Sequence, residues 1–275
     1  MSPLFDTTEA PFVFHPGTAP LLISMPHVGT HVPDAIAQRL TPEGRELHDT
    51  DWHLPRLYAF AREMGASILQ ATHSRYVIDL NRPPDGASLY PGQSVTGLCP
   101  VDTFNDTPLY LPAQAPAQAE IAARREAIWR PYHAQLASEL ARIRARHGIA
   151  MLWDAHSIRS VVPRFFAGRL PALNLGTADG ASCDPALAQR LLAIAQSTPG
   201  YTAVLNGRFK GGHITRHYGQ PGSGVHAVQL EMAQCSYMQE AMPFDYLPDS
   251  AAGVQPVLRA LLQAVLDYAA RQGRV

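Results

Sequence analysis

Four polar side chains in this sequence each follow a short apolar run. Apolar runs of about four to eight residues are typical of buried strands, and in open α/β sheets the ligand crevice lies beyond the carboxyl ends of the strands. The four residues are therefore candidates for one shared site. They are His27, Asp154, His156 and Glu231.

Two histidines and a carboxylate that converge from separate loops can bind zinc. Neutral imidazole nitrogens and carboxylate oxygens are donors that this ion accepts, and a fourth position remains for water. His27 and His156 are the strongest candidate ligands, with a hydrogen bond within the loop as the alternative role of each. Asp51 is the favoured third ligand, and its alternative role is to cap a helix. Asp154 lies on the same side of an extended chain as His156 and can hold that imidazole.

Glu231 ends an apolar run, so its carboxyl group is expected to be buried. An isolated buried charge is costly, so this group must be paired or have a role. A zinc hydrolase needs a base that takes a proton from water and returns it to the leaving nitrogen. We predict that Glu231 is this base, with a structural ion pair to an arginine as the alternative. The chain has no Gly-x-Ser-x-Gly sequence, which argues against a serine hydrolase.

Four arginines lie in or beside the same segments. The planar guanidinium group donates two parallel hydrogen bonds to a carboxylate, which favours recognition of a small acidic substrate. Solvation at the surface is the alternative for each of them. These arginines are Arg75, Arg82, Arg208 and Arg216.

The charge balance excludes several classes of partner. The 275 residues include 22 Lys and Arg against 23 Asp and Glu, a formal net charge of −1. Nucleic-acid and anionic-membrane binders need a basic face, so neither partner is expected.

The three cysteines form no Cys-x-x-Cys pair, which favours a reducing, cytoplasmic setting. Residues 1–10 lack a signal-peptide pattern, and no run reaches about 18 apolar residues, so a soluble, unprocessed protein is expected.

The apolar patterns predict strands that alternate with helices. This order is typical of an α/β fold with a mixed, largely parallel sheet flanked by helices. With no repeat and no linker, one three-layer domain over residues 1–275 is expected. Residues 83–112 are rich in turn-forming residues and predict a long irregular loop that can act as a lid. The predicted strands are 19–25, 67–70, 75–80, 149–153, 202–205 and 225–230, and the predicted helices are 51–64, 118–147 with a kink near Pro131, 185–195 and 254–268.

Taken in order, six segments resemble the N-formylglutamate amidohydrolase family, from about residue 21 to residue 232. Each segment alone is weak evidence, but the ordered set is specific. The segments are Ser24-Met-Pro-His27-Val-Gly29-Thr30, Asp49-Thr-Asp51-Trp52, Ser74 through Arg82 and Pro83, Asp154-Ala-His156-Ser157, Phe209 through Arg216, and Leu230-Glu231-Met232.

That family is similar to the zinc carboxypeptidases and aspartoacylases, whose fold is a mixed sheet flanked by helices. The resemblance implies that the two histidines named above hold zinc and that Glu231 is the general base. Asn81 and Arg82 would bind the substrate carboxylate, and Arg75 would assist at the scissile carbonyl. Arg216 is the candidate for the second carboxylate of a glutamate-like substrate.

The third zinc ligand departs from the pattern of those relatives. They carry a metal-binding Glu three residues after the first histidine, whereas this sequence has Thr30 there. Asp51 is the preferred substitute, and Asp49 and His31 are the alternatives.

The activity that the resemblance implies is hydrolysis of N-formyl-L-glutamate to formate and L-glutamate, the closing step of one route of histidine breakdown. An amidohydrolase for another N-acyl acidic amino acid or a short peptide is the nearest rival. A protein that binds an acidic ligand without catalysis is the rival from a different class, and the two histidines together with Glu231 argue against it.

Overall fold

Seven short segments form one mixed β-sheet in this computed structural model, which describes residues 9–87 and 95–273. The order across the sheet is β1-β3-β2-β4-β7-β5-β6. The β1–β3 and β5–β7 pairs are antiparallel and the other four pairs are parallel. The strands are β1 (Phe12–His15), β2 (Leu21–Met25), β3 (Ser67–Ala71), β4 (Ala150–Ile158), β5 (Leu173–Gly176), β6 (Ala203–Leu205) and β7 (Val225–Ala233).

Helices cover both faces of the sheet. The apolar side chains of α3, α6 and α8 pack on one face, and those of α1, α5 and α7 pack on the other. The fold is thus the single three-layer α/β domain with a mixed, largely parallel sheet that the sequence predicts. The helices are α1 (Asp34–Ala37), α2 (Pro42–Arg45), α3 (Leu54–Leu57), α4 (Gln118–Arg124), α5 (Arg130–His147), α6 (Pro185–Ser197), α7 (His213–Tyr218) and α8 (Pro248–Gln272).

The alternation of side chains along β4 explains how one strand serves both core and site. Met151, Trp153 and Ala155 point into the core under α8. Leu152 points to the opposite face, toward α5. Because side chains two residues apart share a face, that opposite face continues through Asp154 and His156 and becomes polar toward the end of the strand. The predicted strand 149–153 is therefore too short, and these two residues lie inside β4 rather than beyond it.

The predicted helix over residues 51–64 is wrong in extent. Its helical part begins at Leu54, with His53 as the N-cap residue in a left-handed conformation (φ 63°). Residues 59–62 form a separate 3-10 turn. Asp51 does not cap this helix, because the N-cap residue is His53 and no side chain makes the cap hydrogen bond. Instead, the Asp51 backbone N–H donates to the His27 carbonyl at 3.0 Å. That bond ties the Asp51 loop to the loop after β2.

The predicted strand over residues 75–80 is also wrong, and hydrogen bonds from side chains explain why. The Val77 N–H donates to the Ser74 carbonyl and starts a turn. Two carbonyl groups of this segment and two just after it accept hydrogen bonds from side chains of the helical stretch 118–147 instead of from a neighbouring strand. The pairs are Val77 with Arg124 (2.8 Å), Leu80 with His133 (2.8 Å), Arg82 with Trp129 (3.0 Å) and Pro84 with Arg125 (3.2 Å).

The kink predicted near Pro131 is present as a change of helix type. Residues Arg125–Trp129 form one π-helical segment between α4 and α5. A π-turn inserts where the ordinary hydrogen-bond ladder is interrupted, and proline removes one donor from that ladder. The π segment contributes Arg125 and Trp129 to the carbonyl contacts described above.

The predicted irregular loop is confirmed where the structure describes it. Residues 83–87 and 95–112 contain no helix or strand beyond isolated bridges; residues 88–94, in the centre of the predicted lid, lie outside the described part of the chain. β1, β5 and α7 were not predicted from the sequence, and α8 is longer than predicted. None of the helices in residues 9–87 and 95–273 has the length and hydropathy needed to cross a bilayer.

Replacing Arg124 by Met should destabilise the fold by about 3 kcal/mol, because the Val77 carbonyl and the Glu120 carboxylate lose a buried, charged donor. The Arg124 side chain is fully buried and contacts both groups. Urea unfolding measures the effect. Arg130→Met is the matched control, since Arg130 is exposed and pairs with the exposed Glu126; an equal loss in both variants would contradict the prediction.

Candidate active site

His27, Asp51 and His156 come together from three separate parts of the chain. His27 follows β2, Asp51 lies in the loop before α3, and His156 lies within β4. The Asp51 Oδ2 atom is 3.7 Å from His27 Nδ1 and 3.2 Å from His156 Nδ1. All three residues are buried, and one potential ligand atom from each lies within 4.8 Å of the others. This arrangement has the donor set and size of a metal site.

The remaining nitrogen of each imidazole faces a carboxylate. His27 Nε2 lies 2.7 Å from Asp79 Oδ1, and His156 Nε2 lies 3.1 Å from Asp154 Oδ2. Such carboxylates fix the tautomer and orientation of metal-binding histidines. The contact between Asp154 and His156 is the one expected from their spacing in the sequence.

The His27 Nδ1 atom is buried and has no hydrogen-bond partner among the described residues. An orphaned buried nitrogen is costly, and this one faces the Asp51 carboxylate and the His156 ring. Burial lowers the pKa of His27. Burial also opposes the charged form of His156, but the Asp154 and Asp51 carboxylates outweigh it and raise the His156 pKa well above 6.5.

The two alternative third ligands have other contacts. Asp49 Oδ2 accepts hydrogen bonds from the Tyr76 hydroxyl at 2.7 Å and the Phe104 N–H at 2.8 Å. Burial raises the pKa of this carboxyl. His31 packs edge-on against His73, with ring centroids 4.8 Å apart. Neither Asp49 nor His31 belongs to the group formed by Asp51 and the two histidines.

Glu231 lies beside His156 in the sheet. The two residues are directly paired in the parallel β4–β7 ladder, and Asp154 is likewise paired with Gln229. Four polar side chains therefore share one face of two adjacent strands. Burial raises the pKa of Glu231 to about 8, and the His156 charge opposes that rise. Gln229 lies 3.4 Å from Glu231 Oε2 and accepts the Gly212 N–H at 2.7 Å.

Arg75 is a buried member of the same cavity. Its Nη2 atom donates a hydrogen bond to Asp79 Oδ2 at 2.6 Å, and its guanidinium carbon lies 4.7 Å from the centre of the Phe104 ring. Burial opposes the charged form of Arg75, but the Asp79, Asp51 and Asp49 carboxylates outweigh it and raise its pKa. The guanidinium therefore stays charged inside the cavity.

Asn81 lines the cavity and is held from two sides. Its Nδ2 atom lies 2.9 Å from His156 Nε2 and 3.4 Å from Asp154 Oδ2, and its Oδ1 atom accepts the Ile214 N–H at 2.8 Å. Gly212 packs against this amide so closely that an added Cβ would lie 2.4 Å from Asn81 Nδ2. Position 212 therefore needs glycine, because a larger residue would clash with the Asn81 amide.

The remaining predicted arginines occupy different places. Arg82 lines the cavity and donates to the Thr96 carbonyl at 2.8 Å. Arg216, on α7, donates through Nε to the Gly211 carbonyl at 2.8 Å and is not among the described residues that line the cavity. Arg208, which the sequence analysis considered without assigning a role, does line it.

Asp79 and Gln229 are the site residues that the sequence analysis missed. Each carries a signal that was readable in the sequence. Asp79 interrupts the apolar run Tyr76–Leu80, and Gln229 lies two residues before Glu231 in another apolar run. A polar side chain inside a buried segment needs a partner, so both positions were candidates for the same site.

Comparison with known proteins shows what the whole chain is similar to. The family profile for N-formylglutamate amidohydrolase matches residues 19–238. A protein from Pseudomonas putida named N-formylglutamate deformylase is 55% identical over 259 residues, which cover 94% of this chain and 97% of that protein. A protein of the same name from Pseudomonas aeruginosa is 57% identical over 255 residues, covering 93% and 96%.

The chain belongs to the N-formylglutamate amidohydrolase family. Its fold agrees with this assignment, because the crystal structure of N-formylglutamate amidohydrolase from Ralstonia eutropha JMP134 superposes with a TM-score of 0.82. That protein shares 25% sequence identity, and the match covers 96% of this chain and 100% of that one. The family resemblance and the amidohydrolase class inferred from the sequence are thus confirmed.

In this family member, replacing Gly212 by Ala should displace Asn81 and cost about 1–3 kcal/mol of stability, because the new Cβ cannot fit against the amide. Formate release should fall as well, since Asn81 contacts His156. The matched control is Gly222→Ala, where nothing lies within 4 Å of the added Cβ. Wild-type stability and turnover in Gly212→Ala would show that the packing at this position is not required.

Proposed function

We propose that this chain hydrolyses N-formyl-L-glutamate to formate and L-glutamate with a zinc ion bound by His27, Asp51 and His156. The observation that carries the metal assignment is the orphaned His27 Nδ1 atom, which faces the Asp51 carboxylate and the His156 ring. The names of the two Pseudomonas relatives support the substrate. We further propose that the reaction closes histidine breakdown in the cytoplasm, a compartment suited to three free cysteines.

The donor set fits zinc in number and chemistry. Two imidazole nitrogens and one carboxylate oxygen leave a fourth position open, as in catalytic zinc sites. Asp79 and Asp154 hold the other nitrogen of each imidazole, which leaves the Nδ1 atoms for the ion. When bound, zinc supplies Lewis-acid activation of water and of the formyl carbonyl.

Glu231 is the proposed general base. Its carboxyl group lies beside His156 in the sheet, and burial raises its pKa, which makes the carboxylate a stronger proton acceptor. Glu231 accepts a proton from the attacking water as the new C–O bond forms. It returns that proton to the nitrogen of glutamate as the C–N bond breaks. Gln229 contacts Glu231 Oε2 and orients the carboxylate for both transfers.

Arg75, Asn81 and Arg82 are the proposed substrate-binding groups. The buried guanidinium of Arg75 lines the cavity with His27 and Glu231, where it can stabilise the negative charge that develops on the formyl oxygen. Asn81 and Arg82 lie at the same cavity and are proposed to bind the α-carboxylate. The Asp79 carboxylate accepts hydrogen bonds from Arg75 Nη2 and from the Asn81 backbone N–H. Arg75 and Asn81 are therefore positioned before substrate arrives.

A formate-release assay tests the function directly. The purified protein, reconstituted with zinc, should release formate from N-formyl-L-glutamate, and removal of the metal with a chelator should abolish turnover until zinc is restored. N-acetyl-L-aspartate tests the rival acyl specificity and should be a poor substrate. Failure of the reconstituted protein to hydrolyse N-formyl-L-glutamate would overturn the proposal.

Replacing Glu231 by Gln should lower kcat by about 10²–10⁴-fold, the usual contribution of a general base, while leaving zinc content unchanged. Steady-state kinetics and metal analysis of the same sample provide the two readouts. Glu63→Gln is the control, because the Glu63 side chain is exposed and pairs with the exposed Arg259. Near wild-type turnover in Glu231→Gln would remove Glu231 from the mechanism.

A further inference from the structure

One arginine in the cavity is not used by the mechanism proposed above. Among the described residues, three arginines line the cavity, and two of them, Arg75 and Arg82, are already assigned to the scissile carbonyl and to one carboxylate. The third is Arg208. N-formyl-L-glutamate carries a second carboxylate on its side chain, which needs a cationic partner of its own when it leaves water.

The Arg208 side chain is held in a fixed place at the cavity wall. Its Nε atom donates to the Phe165 carbonyl at 2.6 Å. Its guanidinium carbon lies 5.7 Å from the centre of the Phe165 ring and 5.4 Å from that of Phe209, and both rings also line the cavity. A guanidinium beside aromatic rings is less exposed to water, so its interaction with an anion is stronger.

The backbone that carries Arg208 is also fixed. Asn206 has a left-handed conformation (φ 52°). Its amide exchanges two hydrogen bonds with Thr177, accepting from the backbone N–H at 2.8 Å and donating to the hydroxyl at 2.9 Å. The Lys210 carbonyl accepts the Ala178 N–H at 2.6 Å. Both ends of the Arg208 segment are therefore tied to the turn after β5.

We propose that Arg208 binds the side-chain carboxylate of the substrate and selects dicarboxylic N-formyl amino acids, a role that the sequence analysis gave to Arg216. This proposal rests on the proposed function. It adds the side chain that would distinguish N-formyl-L-glutamate from the N-formyl derivatives of neutral amino acids. Arg216 is a poorer candidate because it does not line the cavity and its Nε donates to the backbone of Gly211. The Phe165 and Phe209 rings beside Arg208 line the same cavity and would contact the aliphatic part of the substrate.

The test compares N-formyl-L-glutamate with N-formyl-L-glutamine, a neutral substrate of nearly the same shape. The ratio of their kcat/KM values isolates the contact to the side-chain carboxylate. Arg208→Met should lower that ratio by about 10–100-fold, the effect of losing a charge-assisted hydrogen bond. The loss should come from a higher KM for N-formyl-L-glutamate, while kcat/KM for N-formyl-L-glutamine stays within about threefold of wild type.

Three further variants complete the design. Arg208→Lys keeps the charge without the planar fork and should lower the ratio less than Arg208→Met does. Arg216→Met tests the rival assignment and should keep the ratio. Arg259→Met removes an exposed surface charge and should keep both the ratio and the activity.

The outcomes separate this inference from the function on which it rests. If wild type does not hydrolyse N-formyl-L-glutamate, the proposed function fails. If wild type does so and Arg208→Met keeps the substrate ratio, or if Arg216→Met loses it instead, the assignment of Arg208 is wrong. A parallel loss of both substrates in Arg208→Met and Arg208→Lys would show a structural role and would also overturn the assignment.

Discussion

The rest of the site depends on the hydrogen bonds that the buried carboxylate of Asp79 accepts. This carboxylate accepts hydrogen bonds from His27 Nε2 at 2.7 Å, from Arg75 Nη2 at 2.6 Å and from the Asn81 backbone N–H at 2.9 Å. Burial by itself would raise the pKa of Asp79, but the His27 and Arg75 charges outweigh it and hold the pKa well below 3.8. One fully buried anion therefore orients a proposed metal ligand, a proposed oxyanion donor and the loop that carries Asn81.

The segment around Asp79 can adopt this shape only because another element satisfies its backbone. The carbonyl groups of Val77, Leu80, Arg82 and Pro84 accept hydrogen bonds from side chains of one helical stretch. Buried carbonyl groups without partners would be costly, so the helix makes an irregular loop stable inside the protein. The Asp79 carboxylate is thereby delivered to the same edge of the sheet that β4 and β7 reach.

The sequence predicts the class of fold and most of the residues that come together in the candidate site, but not the conformation of the loops. Apolar runs identify β2, β4 and β7, because buried parallel strands are continuously apolar. The same rule failed for Tyr76–Leu80, whose apolar side chains are buried without strand pairing, since side-chain donors from a distant helix replace the ladder. Asp51 was proposed as a ligand with helix capping as its alternative, and the backbone bond from its N–H to His27 is a tertiary contact that no local pattern reveals.

The assignment of roles among similar residues depended on three-dimensional position. Arg208 and Arg216 lie eight residues apart in one basic, glycine-containing run, so spacing alone cannot tell which of them reaches a cavity. Asp49 and Asp51 differ by two residues and face different partners, because Tyr76 and Phe104 contact Asp49. Family membership is compatible with each of these choices, and the contacts of the folded chain are what support the proposed ones.

The most direct test of the account is anomalous X-ray diffraction at the zinc edge from crystals of the zinc-loaded protein. We expect one ion at about 2.0–2.2 Å from His27 Nδ1, an Asp51 oxygen and His156 Nδ1, with Asp79 and Asp154 still holding the opposite nitrogens. An ion bound instead to Asp49, or to the pair formed by His31 and His73, would contradict it.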